Sequence, residues 1–212
     1  LVLMADAALN PSFAADQFTL QKQRRLAQIA QERAQPNALA QRIVPVLLYG
    51  EAHAYGKPAS GSESTVGKIT RADLARWHAS WFKPGSATLI VTGDTTLAQL
   101  VPALEASFGA WKAGSAPAKK VATVAPTQGR KLYLIDKPGA PQSTIVAAHL
   151  SETAGQPEDL AMEPVMQNFG GMATSRLNRN LRLDKHWSYG TSGYLTNPRG
   201  QRAFMVVAPV QT

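Results

Sequence analysis

Between residues 112 and 129 the chain reads KAGSAPAKKVATVAPTQG, and this stretch restricts the fold more than any other. Its Ala, Pro, Gly and Lys content marks a linker, because repeated Pro and Gly interrupt both helix and strand. A domain boundary is therefore expected there, with 1–112 and 130–212 on either side of a 113–129 linker. A chain of 212 residues is long enough for one or two domains with a real core.

On the N-terminal side, AADQFTLQKQRRLAQIAQERAQ (14–35) predicts a helix with Leu26, Ile29 and Ala30 on one face, ended by Pro36. A second apolar helix is expected over 38–49, bent or split by Pro45. The Gly/Ser/Pro-rich run 50–67 reads as loop. Thr70-x-x-Asp73 has the form of a capping box and opens a third helix that carries Leu74, Trp77 and Trp81 and closes at Pro84. SATLIVTGD (86–94) reads as a buried strand, and 96–108 as a fourth helix. Beyond the linker, strands are expected at 131–136, 143–151, 189–195 and 202–208. Helical runs over 157–169, kinked at Pro164, and 173–184 stand between them, with Gly170-Gly171 as a chain break. Without regular βαβ alternation, this order predicts an α+β fold: a mainly antiparallel sheet with helices on one face.

Composition narrows the function classes. No run of 18 apolar residues is present, so no membrane-spanning helix is expected. The start, LVLMADAALNPSF, has no basic n-region and no initiator Met, and reads as the middle of something longer. The chain has no cysteine, which removes disulfides, thiolate nucleophiles and Cys-type zinc sites and fits periplasm and cytosol about equally. The net charge of +8 raises nucleic acid as a partner. Its basic residues are scattered and not interleaved with aromatics, so a solvated basic surface is the reading instead.

The titratable residues offer few sites. His53, His78, His149 and His186 include no pair at i, i+3 or i+4, and no H-E-x-x-H or H-x-x-E-H string occurs. There is no G-x-S-x-G elbow, and VTGDTT lacks the lysine and spacing of a phosphate loop. What remains is RLNRNLRLDKHWSYG (176–190), where Arg182 precedes Tyr189 by seven residues as a helical pattern gives way to strand. Two readings stand: a solvated helix end followed by a strand, or two side chains converging on one site.

Longer stretches carry a resemblance. HAYGKPASGSESTVGKITRADLARWHASWFKPGSATLIVTGD (53–94) and FGGMATSRLNRNLRLDKHWSYG (169–190) resemble the M16 metallopeptidases: pitrilysin, insulin-degrading enzyme, mitochondrial processing peptidase and bacterial relatives. The markers fall in family order: His53-x-Tyr55-Gly56, the Thr70 helix, Pro84, Gly93-Asp94, Phe108-Gly109-x-Trp111, Gly170-Gly171, Ser175-Arg176-Leu177, Leu181-Arg182 and Tyr189. The resemblance implies repeated α+β domains facing each other across a closed chamber. One half would carry zinc on H-x-x-E-H plus a later Glu, and the other would offer an Arg and a Tyr to the substrate. Residues 1–112 would then be the C-terminal part of one such domain, and 130–212 the N-terminal part of the next.

The resemblance also implies which half this is. The later zinc-ligand Glu falls on the 14–35 helix, eight residues before Pro36, where this chain has Gln28. The acidic position seven residues earlier holds Gln21. A neutral amide is a poor ligand for a divalent cation where a carboxylate is needed. The expectation is a metal-free, substrate-binding half in which Arg182 and Tyr189 hold a peptide or small protein and stabilise the tetrahedral intermediate. Zinc would sit on a partner half, fused upstream or on a separate chain, and this segment alone would be inactive. The alternative is a catalytically silent scaffold of the same fold. Two departures concern the loop between the pair: Leu183 where the family has an acidic residue, and His186-Trp187 around the usual Gly. Periplasm is the expected compartment, with cytoplasm as the alternative.

Overall fold

The computed structural model describes residues 1–125 and 127–211. Contacts divide them into two compact units, one from residues 1–26 and 63–119, the other from 27–62 and the described residues of 120–212. The change of unit between Lys119 and Lys120 lies inside the 113–129 stretch, of which Pro126 is outside the described residues.

The first unit is helical. It holds α1 (Val2–Leu9), the start of α2 (Ala15–Ala34), α4 (Glu63–Lys68), α5 (Arg71–Trp81) and α6 (Leu97–Phe108). Two of these helices begin with reciprocal caps. The Thr70 hydroxyl accepts from Asp73 N–H at 3.2 Å while Thr70 N–H donates to the Asp73 carboxylate at 2.7 Å. Thr96 and Gln99 repeat the arrangement at α6. Each box satisfies amides that a helix start leaves unpaired, a contribution of about 1 kcal/mol. Lys22 on α2 donates to the carbonyls of Gly67 and Ile69 at the end of α4, where a cation meets the negative end of the helix dipole. The His78 imidazole stacks on Phe82 at 4.5 Å and its Nε2 bonds the Ala8 carbonyl, so it is a packing residue tying α5 to α1.

Residues 86–94, expected as a buried strand, form no ladder among the described residues, and Ile90 is 83 % exposed. The same holds for 131–136, where Leu132 and Leu134 are 95 and 94 % exposed. Strand propensity alone does not make a strand: the backbone groups need a partner edge, and no described segment supplies one here. A further difference is α4, which lies partly within the expected loop 50–67.

The second unit is built on an antiparallel sheet of β1 (Gln142–Thr153), β2 (Ser192–Leu195) and β3 (Gln201–Gln211), in the order β1-β3-β2. The register pairs Val146 with Val207, Ala148 with Met205 and Leu150 with Ala203. These side chains share one face, because successive strand residues point to opposite sides. Against that face lies α3 (Pro36–Tyr49), which starts with Pro36 in its first turn and runs continuously through Pro45. Val44, Leu48 and Tyr49 of α3 join Ala203, Met205 and Val207 in the core. The buried Tyr49 hydroxyl donates to the Gln201 carbonyl at 2.8 Å, and Tyr55 OH accepts from Gly200 N–H.

The other face carries His149 stacked on Phe204 and Phe204 against Phe169. Phe169 belongs to a π-helical turn (Gln167–Gly171) that continues α7 (Asp159–Met166) three residues past Pro164. Gly170 and Gly171 are thus part of this turn, and Gly170 is buried where the turn crosses β2. Arg202 ties β3 to α7 through an ion pair with Asp159 at 2.7 Å. The class is α+β with a small antiparallel sheet, and α3 adds a helix opposite the α7 layer.

Candidate functional site

Arg182 and Tyr189 both lie in the second unit, on a segment that runs from one helix into β2. Ser175 caps α8 (Arg176–Asn178), its hydroxyl accepting from Asn178 N–H at 3.4 Å. The chain then winds on as a π-helical stretch, Arg179–Asp184. Wide turns of this kind are rare and concentrate at functional sites. Lys185 N–H closes the stretch on the Asn180 carbonyl, and His186 turns the chain back with φ +56°. Only glycine takes that conformation without cost. The His186 Nδ1 contacts the Arg182 carbonyl at 3.1 Å and offsets part of the strain. The reversal thus falls at His186, within the His186-Trp187 step where the resemblance expects a Gly.

After the reversal, Trp187 and Ser188 N–H groups both meet the Leu181 carbonyl, at 2.9 and 3.3 Å. The seven-residue spacing thereby places Tyr189 beside Arg182, with the guanidinium carbon 4.8 Å from the ring centroid. Such a cation–π contact at an exposed position is worth about 0.5–1 kcal/mol. Tyr189 is 84 % exposed and Arg182 half-buried, so both head groups are reachable from solvent. Among the described residues no carboxylate pairs with Arg182. The pair presents a phenol O–H and guanidinium N–H groups, all donors suited to a carbonyl oxygen or a peptide backbone.

The neighbours of Tyr189 are held differently from Tyr189 itself. Ser188 and Thr191 are buried. The Ser188 hydroxyl lies 2.5 Å from the Pro209 carbonyl and 2.9 Å from that of Gly190. Thr191 N–H donates to Asn178 Oδ1 at 2.8 Å, and Asn178 Nδ2 donates to the Thr191 carbonyl at 2.9 Å. Ser188, Thr191 and Asn178 are not legible as site residues from the sequence alone. The one signal available was Ser175-x-x-Asn178, a cap pattern followed by an amide inside a helical run.

Arg182 and Tyr189 lie outside two cavities of this unit. One, about 650 Å³, lies between α3, the 54–60 segment and β3, with Arg42 held by Glu32 at its edge. Another, about 570 Å³, is formed by His149, Val165, Met166, Phe169, Phe204 and Arg176. The histidines do not assemble. His53 packs with Tyr49 and Tyr55, His149 with Phe204, and among the described residues no three His, Cys, Asp or Glu side chains converge to hold a metal. Gln28 and Gln21 are exposed on α2.

Residues 68–212 match the family model described as the Peptidase M16 inactive domain. The chain therefore belongs to the M16 peptidase family. An uncharacterized zinc protease of Mycobacterium bovis is 25% identical over 197 residues, covering 88% of this chain and 43% of that protein. Among solved structures, the peptidase M16 inactive domain from Pseudomonas fluorescens superposes with a TM-score of 0.85 at 23% identity, over 99% of this chain and 50% of that one. The periplasmic protease PqqL from Escherichia coli gives 0.65 at 13% identity, over 99% of this chain and 24% of that one. The chain spans less than half the length of the curated relative it matches. No helix of the described residues is long and apolar enough to cross a membrane.

Proposed function

We propose that this chain is the substrate-binding, metal-free half of an M16-type zinc metalloendopeptidase. Arg182 and Tyr189 hold the peptide and stabilise the tetrahedral intermediate. Zinc, carried by a partner half fused upstream or on a separate chain, supplies the Lewis acid and activated water of peptide hydrolysis. The observation that carries the reading is the pair itself: two donor side chains stacked together, reachable from solvent and anchored through a buried hydrogen-bond network.

The chemistry follows from charge development. As water attacks the scissile carbonyl, negative charge grows on its oxygen, and donors aimed at that point bind the transition state better than the substrate. Tyr189 supplies a phenol O–H, and Arg182 a permanently charged fork that also grips substrate backbone. The Arg182 guanidinium over the phenol ring keeps the two groups in one place before the substrate arrives. The likeness to a periplasmic protease supports the periplasm as the compartment.

Tyr189→Phe in the complete, zinc-loaded protein tests the reading. The expected result is a kcat reduced by about 10²–10³, the usual cost of one such donor, with zinc content unchanged. Unaltered kcat and KM would identify a catalytically silent scaffold instead.

A further inference from the structure

Asn178 occupies a place that neither the family reading nor the pair explains. It is 5 % exposed, and its amide is fully engaged. Nδ2 donates to the carbonyls of Met172 and Thr191, both at 2.9 Å, and Oδ1 accepts from Thr191 N–H at 2.8 Å with Thr191 Oγ1 at 3.3 Å. Toward Thr191 the side chain gives and takes one hydrogen bond with the same residue's backbone, the pattern two strands exchange. Leaving a buried amide without a partner is costly, so such a satisfied arrangement is rigid.

Its position in the chain gives this rigidity a direction. Asn178 precedes Arg182 by four residues in the helical run, and Thr191 follows Tyr189 by two. The π-helical stretch Arg179–Asp184 has no buried residue, so no fully buried side chain of its own sets how Arg182 points. Tyr189 likewise projects into solvent. Beside the backbone bonds of Trp187 and Ser188 to the Leu181 carbonyl, one buried side chain joins the two segments: Asn178 on the Arg182 helix, bonded to the Thr191 backbone two residues past Tyr189. Ser188 supplies the anchor on the other side through Pro209.

We infer that Asn178 is a positioning residue for the site: its amide fixes the Tyr189 segment against the Arg182 helix and so sets the geometry in which the two donors meet substrate. This rests on the reading of Arg182 and Tyr189 as the substrate-holding pair. The consequence concerns alignment, since a displacement of about 1 Å at a reacting centre costs on the order of 10²-fold in rate.

The experiment is a kinetic double-mutant cycle in the complete, zinc-loaded protein, with a panel of internally quenched decapeptides as the probe. Asn178→Ala should lower kcat about 10- to 100-fold per folded, zinc-bearing molecule, with KM changed less than about threefold. In a Tyr189→Phe background the same substitution should cost less than about threefold, because the misplaced group is already gone. Asn178→Ser, which keeps a small neutral donor and acceptor on a shorter arm and buries no charge, should give an intermediate loss; it is the variant to use where the alanine form does not fold. Equal losses in both backgrounds, or a lowered melting temperature with an unchanged kcat, would overturn the inference and leave Asn178 a fold anchor. If Tyr189→Phe and Arg182→Ala themselves leave kcat and KM unaltered, the reading of the pair falls first, and the inference with it.

Discussion

Gly170 and Gly171 stand side by side in sequence, yet the structure gives them opposite tolerance for a methyl group. A Cβ on Gly170 would run into the Gly193 backbone nitrogen, lie 2.6 Å from the Gly193 Cα and 3.0 Å from Leu177 Cδ1. The first two are main-chain atoms of β2, so relief requires moving the π-helical turn away from the sheet. A Cβ on Gly171 would lie 2.5 Å from Gln167 Oε1, the far end of a flexible, exposed side chain that can rotate away. Neither glycine has a left-handed φ, so steric contact alone separates them. Overpacking a close approach costs about 1–3 kcal/mol, and with a backbone as the obstacle Gly170→Ala should fall near the top, about 3 kcal/mol. Gly171→Ala should lie within about 0.5 kcal/mol of the native protein, the ordinary range for an exposed substitution. Urea unfolding of the two variants, compared through midpoints at equal slope, measures the difference. Equal stability of the two variants would refute the reasoning, because the contact at β2 would then be soft.

Other outcomes follow from the same unit. Tyr49→Phe, which removes the buried bond to the Gln201 carbonyl, should cost about 1–2 kcal/mol of stability by thermal melting. Burial raises the Tyr49 phenol above its ordinary value near 10. The folded state thus holds that proton more tightly than the unfolded one, so stability present below pH about 10 should fall as pH rises toward the folded value, and Tyr49→Phe should flatten that alkaline limb. Asp159 is held below the usual carboxylate range, first by the Gly155 N–H and then by Arg202. Its contribution is present above pH about 4 and lost as pH falls through the lowered value, and Asp159→Asn should remove that part of the acid limb in a melting series.

What could be read from the sequence was chiefly local. Thr70-x-x-Asp73 gave a helix start because the box closes within one turn, and β1 and β3 were visible because alternating apolar residues pack on one core. The segments 86–94 and 131–136 also carry apolar runs, but pairing depends on a partner that composition does not reveal. Gly170-Gly171 looked like a break; Gly170 is a point of close approach, which only the position of β2 explains. Arg182 and Tyr189 were legible as a seven-residue spacing on the 176–190 run. The apparatus beneath them was not: Asn178 reads as one more polar residue in an Arg-rich helix, and its partner Thr191 lies thirteen residues on. A His at +56° was equally hidden, since sequence suggests glycine for such a turn.

The central claim concerns donors that favour the transition state over the substrate. It is tested most directly by measuring how a phosphinic peptide, whose tetrahedral anion imitates that state, and the matching substrate peptide bind to the zinc-loaded protein with and without Tyr189→Phe. The account expects the phosphinic peptide to lose about 10²–10³ in affinity while the substrate peptide changes less than about threefold. Equal losses for both ligands, or none, would contradict it.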